Sequence, residues 1–172
     1  MTMPTMHLIY HSFFRGLIKF QCYSEHKDKH RLQEGKEMMD RMGIWANKCN
    51  MDVFGNKWLL LRAEYAASQG SDNTNDDAEQ LYLESIKAAR DHGYLHELGL
   101  AYELLGDYYT VHEPEHDAIE ICMKQAYRCY HQWGATKIAR KILDDNDLDL
   151  EDLEGVKDLE PNTTCKKRVE RT

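Results

Sequence analysis

The stretch Ala118-Ile119-Glu120-Ile121-Cys122-Met123-Lys124-Gln125-Ala126-Tyr127-Arg128-Cys129 decides the fold. Ala118, Cys122, Ala126 and Cys129 step by four, four and three, so they stack on one face of an α-helix. The same steps recur 40 residues earlier at Ala78, Tyr82, Ile86 and Ala89, and 40 before that at Met38, Met42, Ala46 and Cys49. A short break follows each copy: Val53-Phe54-Gly55, Gly93-Tyr94 and Trp133-Gly134. An in-phase spacing written three times predicts an all-α array of helical hairpins, each burying its apolar face on the next. Arrays of this kind bind partners more often than they carry chemistry.

Outward from the stripes, helices are expected over residues 6–25, 32–49, 57–69, 77–92, 97–111, 117–132 and 135–143. The charged run Glu25 to Arg31 separates the first two, and Asn50 to Asn56 breaks the second from the third. Gly70 closes the third helix, and the polar loop Ser71 to Asp77 supplies acids to cap the next. These elements group into units of about 6–56, 57–96 and 97–134, with a final helix over 135–143. Residues 144–172 change composition, acidic from Asp144 to Glu160 and basic from Lys166 to Arg171, and read as a weakly structured tail.

The 172 residues leave room for one domain with a sizeable core. A net charge of −8 argues against general nucleic-acid binding, which needs a basic face for phosphate, and is compatible with a basic peptide partner. Five cysteines, an odd number, read as small apolar packers of a reducing compartment, and the cytoplasm is the expected location. The apolar stretch from His7 to Phe20 is interrupted by His11, Arg15 and Lys19, so no membrane span is expected.

Tyr102-x-x-Leu105-Gly106-x-x-Tyr109, with Ala118 twelve residues after the glycine, resembles the tetratricopeptide pattern. In that pattern Gly106 lets one helix approach the next at the small Ala118, while Tyr102, Leu105 and Tyr109 fill the flanking space. In the second unit Ala66 takes the place of Gly106 and Ala78 that of Ala118. The first unit keeps only its second-helix stripe, with His26 at the glycine position. On the same frame Glu103, Asp107 and Thr110 face a concave groove, and its two acids predict a basic or neutral peptide as partner. A short stack also exposes an apolar end, which leaves self-association open.

Two stretches go further, Ala78 to Tyr94 with His96-Glu97 and Leu100-Ala101, and Ala126 to Ala135 with Lys137. Together they resemble the tetratricopeptide-like region of very large signalling kinases, where a Ser/Thr-kinase-like domain and a STAND-type ATPase precede the repeats, and sensor domains with a histidine kinase follow. The resemblance covers roughly residues 8–143 and is most specific over Tyr130, Trp133, Gly134 and Ala135. It implies a non-catalytic scaffold in signalling. The alternative is a fragment of a multidomain ATPase or sensor kinase whose catalytic domains lie outside this chain. No glycine-rich phosphate loop of kinase or P-loop type occurs in the sequence.

Other motifs carry less. His112-Glu113-Pro114-Glu115-His116 fits a zinc-protease spelling, but Pro114 interrupts the helix that would set both histidines on one face. Four histidine pairs share i, i+4 spacing: His7/His11, His26/His30, His92/His96 and His112/His116. They read as solvated or partly buried side chains, and no metal or cofactor is expected. His96-Glu97-Leu98 lacks the continuation of a phosphoacceptor helix and reads as an acidic first turn. Asp145-x-Asp147-x-Asp149 lacks the glycine and the final glutamate of a calcium loop. Lys166-Lys167-Arg168 is a weak nuclear or membrane-surface signal, and Asn162-Thr163-Thr164 a sequon that matters only in a secreted chain.

Overall fold

A computed structural model describes residues 4–70 and 77–148. Loop residues Ser71 to Asp76, Asp149 of the calcium-like run, the Asn162 sequon and the basic Lys166–Arg171 run lie outside the described residues. Among the described residues there are seven α-helices and no strand: α1 Met6–His26, α2 Lys29–Lys48, α3 Met51–Gln69, α4 Ala78–Asp91, α5 Leu95–His112, α6 Ala118–Trp133 and α7 Thr136–Asp145.

Local chemistry sets most ends. Thr5, Asp28, Asn50 and Asp77 each accept a backbone N–H from the first turn of α1, α2, α3 and α4, satisfying donors that the helix leaves unpaired. Gly134 takes the left-handed conformation that closes α6, its φ at +92°. α6 begins differently. Asp117 makes no side-chain cap; His116 Nδ1 accepts the Ala118 N–H at 3.0 Å instead.

Two expected breaks are shorter than the sequence predicts. The Glu25–Arg31 run is helical apart from Lys27 and Asp28, because Asp28 caps α2 at His30. The Asn50–Asn56 break reduces to Cys49 and Asn50, so residue 57, the expected start of the second unit, falls inside α3. Val53-Phe54-Gly55 is therefore helical. Phe54 is fully buried with its ring 6.1 Å from that of Trp45, and this burial outweighs the helix penalty of Gly55, about 1 kcal/mol. Residue 97, the expected start of the third unit, lies in the first turn of α5.

Each helix packs on its successor, α1 on α2 through α6 on α7, and α3 also packs on both α1 and α5. One apolar core runs the length of the described chain from Ile9 to Ile142. Eleven of the twelve stripe residues are buried and the twelfth, Cys49, is partly buried. No helix among the described residues is long and apolar enough to cross a membrane.

The frame residues are buried, with partners other than those expected. A Cβ on Gly106 would lie 2.6 Å from Met123 Cε and 3.2 Å from Cys122 Cβ, so the close approach falls one turn beyond Ala118. Gly99, seven residues earlier, meets Cys129 in the same way at 3.1 Å. Two glycines at heptad spacing thus fit two cysteines at heptad spacing on α6. The hydroxyl of Tyr109 donates to Glu79 Oε1 at 2.7 Å, and that of Tyr102 accepts from the Arg90 guanidinium, so both tyrosines tie α5 back to α4. Ala66, Ala78, Leu105 and Ala118 are buried, whereas His26 at the first unit's glycine position is exposed. The close approach in α1 comes instead at Gly16, where a Cβ would stand 2.6 Å from Leu61 Cδ2.

Candidate functional site

Along α5 the residues Leu100, Glu103, Leu104, Asp107, Tyr108 and Val111 follow helical spacing and face one groove of about 530 Å³. Glu64, Ala67 and Ser68 of α3 form its floor, and Leu17, Gln21 and Ser24 of α1 its far wall. Lys27 and His112 stand where α1 and α5 end. The lining keeps the period of the sequence. Ser24, Glu64 and Leu104 are 40 residues apart, as are Lys27, Ala67 and Asp107, and all six line the groove.

Three carboxylates share this space. Tyr82 donates its hydroxyl to Glu64 Oε1 at 2.5 Å, and Tyr130 donates to Glu103 Oε2 at 2.7 Å. Both tyrosines come from the following helix and hold the acids in place. Burial pushes the Glu64 carboxyl up to about 7, against the pull of the Tyr82 hydrogen bond and with a further push from Asp107. Asp107 has an exposed side chain by area, yet the groove walls screen its carboxyl from water. That crowding, reinforced by the Glu103 charge and opposed by Lys141, raises it to about 6. The groove therefore holds acids whose ionisation a cation would favour.

Of the three residues placed in a groove from sequence, the structure brings Glu103 and Asp107 together and leaves Thr110 out. Thr110 is exposed and its Oγ1 donates to the Gly106 carbonyl at 2.9 Å. Glu64 was missed, although the signal was present. A shift of 40 residues equates it with Leu104, one position from Glu103.

A second polar cluster lies where α1, α3 and α5 meet. Glu97, 3% exposed, is held by Lys57 Nζ at 2.7 Å, by the Asn56 amide and by the Tyr10 hydroxyl at 3.1 Å. Lys57 also lies over the rings of Tyr10 and Tyr94. Glu97 is thus a buried ion-pair partner, not the solvent-facing acid of a first helical turn. His96 contacts Tyr10 and Glu97 at 3.3 Å and stacks on Trp133, the rings 4.9 Å apart. Trp133 is half exposed, and the neighbouring Tyr130 anchors Glu103.

The remaining histidines are dispersed. His92 and His112 bond the carbonyls of Ala88 and Tyr108 within their own helices, His26 bonds that of Cys22, and the His7 and His11 rings stack on the α1 surface. α5 ends at His112, so the HExxH spelling spans a turn, with His116 stacked on Tyr109. Among the described residues no group of three or more His, Cys, Asp or Glu is placed to hold a metal ion. Comparison with known proteins leaves this geometry as the ground for a functional reading: no protein family, no curated protein and no solved structure matches the chain.

Proposed function

We propose that this chain is a non-catalytic interaction module. It is a short tetratricopeptide-like stack in which α1, α3 and α5 line a groove for a basic peptide. The observation that carries the reading is the periodic lining: residues 24, 64 and 104, and 27, 67 and 107, face one space from three successive hairpins. That is the arrangement expected when each unit presents the same face of its first helix. The packing order supports it too, since α3 touches both α1 and α5 while each second helix is sandwiched between first helices.

The electrostatics select the ligand. Glu64, Glu103 and Asp107 offer three acids over a floor that includes Leu100 and Leu104, a pattern suited to Lys or Arg side chains with apolar stems. The resemblance at Tyr130, Trp133 and Gly134 is the ground for placing the module in signalling. Cysteine usage, with Cys22, Cys49 and Cys122 outside any disulfide, is the ground for a cytoplasmic setting.

The test is direct. A fluorescein-labelled Lys-Ala-Arg repeat peptide should bind the full chain with a salt-dependent affinity. The double change Glu103→Lys/Asp107→Lys should weaken it by a factor of about 10 or more, each reversed rim charge contributing on the order of 1 kcal/mol. The same reversal at Glu37 and Asp40, exposed on α2, should leave binding unchanged. Equal affinity for the two double variants would reject the groove.

A further inference from the structure

The groove joins an apolar surface, with Leu17, Ala67, Leu100 and Leu104, to three carboxylates. A strand of chain that fits it carries several adjacent cations and an apolar side chain. This chain contains one such stretch, Lys166-Lys167-Arg168-Val169. Nowhere else in the sequence are three consecutive residues all Lys or Arg, and the chain as a whole is at −8, so the stretch is opposite in sign to its surroundings.

Length permits the contact. About 18 residues separate Leu148, which packs on the core, from Lys166, and fully extended they reach ~60 Å. The groove runs along α5, whose 18 residues rise ~27 Å. The departure point is also close. α7, the last described helix, packs on α6, and Leu148 after it lines a cavity with Pro114, His116 and Ile119, just beyond the end of α5.

We infer that Lys166–Val169 of this chain occupies the groove between α1, α3 and α5, so that an external basic peptide binds by displacing it. This rests on the groove reading above and names its first occupant. A tether of this length holds the segment at an effective concentration on the order of millimolar, enough to compete with a peptide of micromolar affinity. The chain would then respond to a partner only when that partner outcompetes its own basic segment.

Two measurements on the full chain test this. The first is a zero-length carbodiimide coupling followed by peptide mass spectrometry of the monomer band. Amide bonds should join Lys166 or Lys167 to Glu103, Asp107 or Glu64, and should vanish in 1 M salt. Coupling spread evenly over exposed acids such as Glu37 and Asp40 would overturn the inference, as would coupling confined to a dimer band, which would put the segment in a second copy.

The second measurement uses a fluorescein-labelled peptide of residues 165–172 as probe, added to the chain and to its Lys166→Glu/Lys167→Glu/Arg168→Glu variant. The variant should bind the probe at least ~10-fold tighter, and up to about 1,000-fold if the segment's own affinity is micromolar, because its own segment no longer competes. Equal binding to both, abolished by Glu103→Lys/Asp107→Lys, would leave the groove standing and refute the tethered occupant. No binding to the variant would reject both.

Discussion

Glu64 concentrates the electrostatics of the groove in one side chain. Its carboxyl lies between the Tyr82 hydroxyl and the neighbouring Asp107, and burial lifts it from an ordinary value of 4.5 to about 7. Between those two values the folded chain keeps a proton that the unfolded chain releases, so stability falls as pH rises from about 4.5 to 7 and the penalty is complete above it. Gln retains the acceptor for Tyr82 and carries no charge. Glu64→Gln is therefore expected to match the parent chain at pH 4.5 and to exceed it at pH 8 by on the order of 1–3 kcal/mol, read from urea denaturation at the two pH values. A difference that does not grow with pH would show that this carboxyl is better solvated than its surroundings imply. The residue was legible in sequence only through the repeat, as the 40-residue counterpart of Leu104. Its burial was not, because that depends on α1 and α5 closing over α3. Thr110 shows the converse. It follows Glu103 by seven residues on the same helix, yet it is exposed and outside the groove lining, and its hydroxyl bonds back to the Gly106 carbonyl.

Between elements, glycines decide how closely helices approach, and what they meet decides how replaceable they are. A Cβ at Gly35 of α2 would stand 2.6 Å from Phe20 Cε1 and 2.8 Å from Cδ1, in a fully buried ring with no room to retreat. At Gly106 of α5 the nearest atom, also at 2.6 Å, is the terminal methyl of Met123, the end of a flexible chain. Gly35→Ala is expected to destabilise by about 1–3 kcal/mol through overpacking. Gly106→Ala is expected to stay within about 1 kcal/mol of the parent, since the gain in helix propensity offsets the displaced methyl. Thermal or urea melts of the two variants decide the matter, and a loss at Gly106 equal to that at Gly35 would contradict the argument. Most element positions were readable from caps and breakers, because Asp77, Gly93 and Gly134 act on their immediate neighbours. The Asn50–Asn56 segment was not readable, since Gly55 weakens a helix locally while Phe54 gains from a distant contact with Trp45.

Across the molecule, Glu97 joins the three helices that frame the groove. It is carried by α5, paired with Lys57 of α3 and bonded by Tyr10 of α1, with both charged groups almost wholly buried. Removing one charge strands the other. Lys57→Met is expected to destabilise by about 3–5 kcal/mol, whereas Lys57→Met/Glu97→Leu should recover most of that loss, because a buried pair replaced by apolar groups of similar size is often nearly neutral. Chemical denaturation of the single and double variants measures the recovery, and a double variant as unstable as the single would mean that the pair is not the main tie between α3 and α5. Neither partner stands out in the sequence. Lys57 sits at the expected start of a helix, directly after a break, and Glu97 where an acid serves the helix dipole. What the sequence determined by itself is the helical class, the three stripes and the 40-residue phase, because these follow from side-chain spacing on a single helix and from short-range capping. What only the tertiary structure decided is which polar residues from different helices are buried together: Glu64 with Tyr82, and Glu97 with Lys57. Those meetings join residues 18 and 40 positions apart, and burial depends on how separate helices cross, which no local spacing encodes.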